Sequence, residues 1–165
     1  MGAVGLLTLG AYALLSGTTR ALVHRGWIPL PGTIPAMIDP RQTLSVETML
    51  GLLGEHLQRR WDQVLLTLVL LFFNIIGEEF WWRGYILPRQ ELAWGRRTWV
   101  IHGILWTLFH AFKYWDWLAL LPGCLGIALM AQRRRNTVPA IIAHLVVNGS
   151  SAIGIILLLL TGGPP

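Results

Sequence analysis

The sequence is short of charge and almost devoid of cysteine. Only 13% of its 165 residues are Asp, Glu, Lys or Arg, while 54% are hydrophobic. An average soluble domain carries about 25% charged residues. With a mean hydropathy of +0.56, this shortage excludes an ordinary water-soluble fold and implies a chain solvated by lipid. The single Cys124 excludes an intrachain disulfide, and within LLPGCLGIALM it reads as a small packing residue. No charged n-region opens the chain, since the first arginine is Arg20. The N-terminal apolar stretch is therefore expected to be a retained helix, the last piece of a longer N-terminal part, rather than a cleaved signal peptide. No basic stretch is interleaved with aromatics on a polar face. The net charge of +5 is thus read as loop arginines that set topology, and no nucleic-acid partner is expected.

What is present is apolar and helical in pattern. A membrane helix needs about 20 apolar residues, and five segments approach or exceed that length: 3–23, one starting near Trp61, 98–112, 117–132 and 138–160. They predict an all-α polytopic transmembrane bundle of about five spans. The Pro-rich WIPLPGTIPAMIDP cannot be a continuous helix, because proline removes donors and clashes with the preceding turn. Residues 44–60 alternate apolar and charged at roughly helical spacing, as an amphipathic surface helix does. The organisation expected is one membrane domain, 1–165. Residues 1–60 form its N-terminal helix, connection and amphipathic helix, and residues 61–160 its catalytic helical core. The tail TGGPP is expected to fray, and the nine tryptophans read as interfacial anchors in contact with membrane lipid.

Arginines orient the bundle. Arg89, Arg96 and Arg97 lie between the second and third segments, and Arg133, Arg134 and Arg135 between the fourth and fifth. One crossing for each intervening segment puts both loops on one side, which the positive-inside rule makes cytoplasmic. The short loop KYWD then faces outward.

The chemistry-bearing residues interrupt these apolar runs. LLTLVLLFFNII is followed by GEEFWWRGYILPR. Glu79 and Arg83 are four apart, so they share a helix face and can pair. Glu78 lies about 140° from Arg83 on an ideal helix and is the carboxylate left available as a general base or acid. If this helix turns near Trp94, Glu78 is sixteen residues before the turn and His110 sixteen after it. Antiparallel helices then bring both to one depth, about 24 Å from the turn. His144 and Asn148, also four apart, share a face of the last segment. Polar residues inside spans usually face a bundle interior or a water-filled cavity. The plainer alternatives are a surface salt bridge for the first group, an interfacial histidine for His110, and interhelical packing bonds for His144 and Asn148. His102 is expected to be structural or to line an entrance, and His24 and His56 to be inert.

Three motifs in order carry a resemblance. EEFWWR fits EExxxR, WTLFH fits FxxxH with Trp106 in the Phe place, and HLVVN fits HxxxN. Together, over about residues 64–150, they resemble the CAAX protease and bacteriocin-processing (Abi) family, which includes the type II CAAX prenyl endopeptidases. The resemblance implies an intramembrane endopeptidase. In it Glu78 activates a water with the aid of His110 and later protonates the leaving amine. His144 and Asn148 donate to the tetrahedral oxyanion, and Glu79 and Arg83 hold the geometry. The implied substrates are peptide leaders or CAAX-like C-termini, those of lipid-modified proteins included. No cofactor is expected. The alternative is a zinc held by Glu78, His110 and His144, a known catalytic ligand set, although HExxH spacing is absent. Other functions left open are a non-enzymatic bacteriocin-immunity or scaffold protein of the same fold and an ion-coupled carrier. Against the carrier stands the lack of an inverted repeat. Because the chain is short for the family, a homo-oligomer that completes the cavity is possible.

Overall fold

The structure, a computed structural model, describes residues 2–35, 38–42 and 61–161. The amphipathic helix expected at 44–60, His56 and the tail beyond Thr161 lie outside these residues. Among the described residues every regular element is helical.

The first helix, α1 (Gly2–His24), ends at a left-handed glycine, Gly26, with φ of 72°. That conformation costs glycine nothing for want of a Cβ. The proline-rich residues that follow are non-helical. Tyr114 Oη donates to the Pro29 carbonyl and fastens this connection to the segment Ala111–Asp116. Beyond it, Arg41 forks onto the Asp39 carboxylate, Nε to Oδ1 at 2.9 Å and Nη2 to Oδ2 at 2.7 Å. Those hydrogen bonds hold the Asp39 carboxyl below its ordinary range.

The next helical rod is continuous but not uniform. It begins as α2 (Trp61–Phe72), widens into a π-helical turn (Phe73–Gly77), passes the two glutamates, widens again (Phe80–Ile86), and closes as α3 (Leu87–Trp94). Leu65, Leu66, Leu68, Leu70 and Phe72 of α2 are all exposed, as expected of a helix solvated by lipid. The predicted turn is where the sequence placed it: Gly95 takes φ of 55° and the chain reverses.

Helix α4 (Thr98–Phe109) returns antiparallel and stops three residues short of the expected Phe112. His110 leaves helical geometry at φ −78°, ψ 37°, and residues Ala111–Asp116 tighten into a 3₁₀ segment. The Trp117 indole N–H donates to the freed His110 carbonyl at 3.2 Å. Helices α5 (Trp117–Arg134) and α6 (Val138–Thr161) complete the described helices. The stretches Trp61–Phe109 and Ala111–Arg134 are long and apolar enough to cross a membrane.

Helix α5 packs on both α1 and α4, and α6 packs on α2 and α5. The α4–α5 crossing is close enough that a Cβ on Gly103 would lie 2.9 Å from the Leu125 Cα. Gln132 staples the same pair, accepting from the Trp99 N–H at 2.8 Å and donating to the Gly95 carbonyl at 3.0 Å. Trp82, Leu87, Trp106, Cys124, Ile127 and Ala140 belong to one buried cluster. This packing brings α4 and α6 against the acidic segment. Cys124 is the buried packing residue its apolar context implied.

Candidate active site

The two adjacent glutamates do different things. Glu79 is fully buried. Its Oε1 accepts from Arg83 Nη1 and from His144 Nδ1, both at 2.9 Å. Arg83 and His144 are themselves only 3% and 5% exposed, so the carboxylate is neutralised inside the bundle. A charge buried without a partner would be expensive there. The Arg83 guanidinium also lies over the Trp106 ring, 3.4 Å from its centroid, in cation–π contact.

Glu78 is half-buried and faces other partners. Its Oε1 accepts from Asn74 Nδ2 at 2.6 Å and its Oε2 from the Trp106 indole N–H at 3.1 Å. Asn74 Oδ1 in turn accepts from Asn148 Nδ2 at 2.9 Å. The same Asn148 nitrogen sits 3.0 Å from His144 Nε2. The contacts close into a circuit running Glu78, Asn74, Asn148, His144, Glu79, Arg83, Trp106 and back to Glu78. The circuit fixes proton positions. His144 Nδ1–H donates to Glu79, so in the neutral ring Nε2 is the acceptor for Asn148. His110 Nδ1–H donates to the Trp106 carbonyl at 2.8 Å, which leaves Nε2 as the acceptor nitrogen, without a hydrogen-bond partner among the described residues.

Glu78, Glu79, Arg83, His144 and Asn148 thus come together, with His110 one turn from Trp106. Among the described residues no hydrogen bond joins Glu78 to His110. The Trp106 ring stands between them, packing edge-on against His110 at 5.7 Å and His144 at 5.5 Å. His102 is structural: fully buried, its Nδ1 lies 2.6 Å from Gln90 Oε1 and its ring packs on Trp82. Sequence reasoning passed over Asn74 and the Trp106 N–H. Both carried signals. Asn74 is a lone amide in an apolar run, and a buried indole N–H usually finds an acceptor. The acidic segment is flanked by both π-helical turns, a departure frequent at functional sites.

His110, His144, Asn148 and Trp106 line a cavity of about 390 Å³ whose other walls include Ile127 and Val147. A larger one, about 880 Å³, opens by the arginine loops and reaches Arg83 but touches neither His110 nor His144. Glu78 lines neither cavity; the smaller one meets the circuit through Trp106, His144 and Asn148. The donor set for zinc does not fit this geometry. Both His144 nitrogens and both Glu78 oxygens are engaged elsewhere, and among the described residues no three His, Cys, Asp or Glu groups converge on one point.

This arrangement can be set beside known proteins. Residues 60–150 match the family model for the type II CAAX prenyl endopeptidase Rce1-like proteins. The chain belongs to the Rce1-like family. It is a family of proteases, and family membership together with the apolar helices makes this an integral membrane protein. No curated protein and no solved structure matches the chain. The Rce1-like match spans all of the circuit, from Asn74 to Asn148.

Proposed function

We propose that this chain is a multi-pass intramembrane endopeptidase whose general base is Glu78. The observation that carries this reading is the division of labour between neighbouring glutamates. Glu79 is neutralised by Arg83 and His144, whereas among the described residues Glu78 is held by the neutral donors Asn74 and Trp106. Glu78 takes a proton from water as the water oxygen bonds to the scissile carbonyl carbon. His110 would aid that water from the cavity side, which requires the Trp106 ring between it and Glu78 to move aside. The oxyanion of the tetrahedral intermediate receives the Asn148 N–H, and also His144 once its Nε2 carries a proton. Preorganised donors of this kind are worth about 10²–10³ in rate each. The carbon–nitrogen bond then breaks, and Glu78 returns its proton to the leaving amine. Glu79 and Arg83 hold His144 in place. The chemistry needs no cofactor.

The substrate is a peptide or protein, either a leader or a CAAX-like C-terminus. The apolar cavity beside His110 suits a lipid-modified chain. On the arginine-loop topology the cavity beside His110, which Lys113 of the outward KYWD loop also lines, would lie nearer the outer face than the cytoplasmic one. Residues 61–160 form the catalytic core within one membrane domain, and a second copy could complete the cavity. No nucleic acid takes part. The test is incubation of wild type and Glu78→Gln in nanodiscs with a diverse peptide pool, prenylated C-termini included, with and without a zinc chelator. New termini are read by mass spectrometry. Chelator-resistant cleavage by wild type alone is expected. Chelator-sensitive cleavage would revive the zinc alternative. No cleavage by folded protein would favour the immunity or scaffold role.

A further inference from the structure

The side chain of Asn74 is a primary carboxamide, and its two ends meet the groups assigned opposite ends of the reaction. Its carbonyl oxygen accepts from Asn148 at 2.9 Å, and its nitrogen donates to Glu78 at 2.6 Å. A scissile peptide bond would make the same two contacts, its oxygen on the oxyanion donor and its N–H on the group that protonates the leaving nitrogen. The orientation of the amide is not arbitrary. Flipped, it would set oxygen against the Glu78 carboxylate and nitrogen against the Asn148 nitrogen, both repulsive.

We infer that Asn74 occupies the scissile-amide subsite of the free enzyme, and that the substrate group recognised there is a secondary amide bearing N–H. The inference rests on the endopeptidase reading. Asn74 lies in the π-helical turn Phe73–Gly77 and is exposed at the rim of the circuit, so it can turn outward without unpacking a core side chain. The arriving peptide then takes over both of its hydrogen bonds. Tertiary amides offer no N–H to Glu78. Bonds preceding proline, or with a methylated nitrogen, are therefore poor substrates.

The test uses the full chain in nanodiscs and the peptide that wild type cleaves best. Asn74→Ala removes the internal competitor, and KM is expected to fall about 5-fold, the worth of roughly one net hydrogen bond. Methylating the scissile nitrogen is expected to lower kcat/KM by about 10-fold or more, the loss of a charge-assisted bond. A kcat loss in Asn74→Ala with unchanged KM would overturn the inference, because Asn74 would then be a positioning residue. Equal cleavage of the methylated peptide would overturn it as well.

A second readout does not need turnover. The chain has three asparagines, Asn74, Asn136 and Asn148, so selective ¹⁵N labelling resolves their side-chain amides by NMR. Saturating the protein with the peptide pool is expected to shift Asn74 and Asn148 together while Asn136 stays still. Peptide that shifts Asn148 but leaves Asn74 in place, or that shifts neither, contradicts the inference. Inactive wild type would sink the endopeptidase reading while this arm still judged the subsite.

Discussion

Glu79→Ala should cost this protein far more stability than Glu78→Ala, although the two residues are neighbours. Arg83 Nη1 hydrogen-bonds to Glu79, while Arg83 Nε and Nη2 are buried without a partner among the described residues. Removing Glu79 leaves a buried guanidinium with no acceptor and His144 Nδ1 with none either. Breaking a buried pair from one side costs about 3–5 kcal/mol. For a domain of this size that is a melting midpoint roughly 6–20 °C lower. Glu78 is half-buried and pairs only with neutral donors, so its loss should cost about 1 kcal/mol. Replacing both partners, Glu79→Met with Arg83→Met, should recover much of the loss, since apolar replacement of a buried pair is often neutral. The assay is thermal unfolding in detergent followed by circular dichroism. Equal destabilisation by Glu78→Ala and Glu79→Ala, or a double variant no better than Glu79→Ala, would refute the assignment of the buried charge.

Trp106→Phe keeps a ring under Arg83 but loses the N–H to Glu78. A hydrogen bond to a charged group is worth about 1.5–3 kcal/mol, so kcat should fall roughly 10–100-fold and the melting midpoint by roughly 3–12 °C, as peptide-cleavage kinetics and unfolding on one sample would show. Gly103→Ala pushes a methyl into the Leu125 backbone and should cost about 1–3 kcal/mol, read as a lower midpoint. Arg135 holds a left-handed conformation at φ 48° without being glycine. Arg135→Gly should therefore raise stability by up to about 1 kcal/mol, measurable in the same unfolding assay. In a Cys124→Ala background, cysteines at positions 96 and 135 should react with an impermeant thiol reagent from the cytoplasmic side and one at 113 from the other; labelling of all three from one side would contradict the proposed topology.

Helix placement was legible because apolar runs, prolines and Gly95 are local signals. The same holds for the pairs Glu79–Arg83 and His144–Asn148, which need only helical spacing. The hairpin count put Glu78 level with His110, yet the side chain that meets Glu78 is Trp106, one turn earlier. The count assumed a uniform helix, but the rod carries two π-helical turns and α4 ends at Phe109, both of which change rotation and depth. The circuit through Asn74 was not legible for a further reason. It joins residues 74 apart in sequence, and only the packing of α6 against the acidic rod brings them together. The motifs had assigned Trp106 the place of a phenylalanine, which hid the one property, its N–H, that this site uses.

The most direct test of the account is the single-turnover cleavage rate of Glu78→Gln against wild type, on samples with matched melting midpoints. General-base catalysis contributes about 10²–10⁴, so the rate should drop by that factor while the fold stays intact. A Glu78→Gln enzyme that cleaves at the wild-type rate would contradict the assignment of Glu78 as the base.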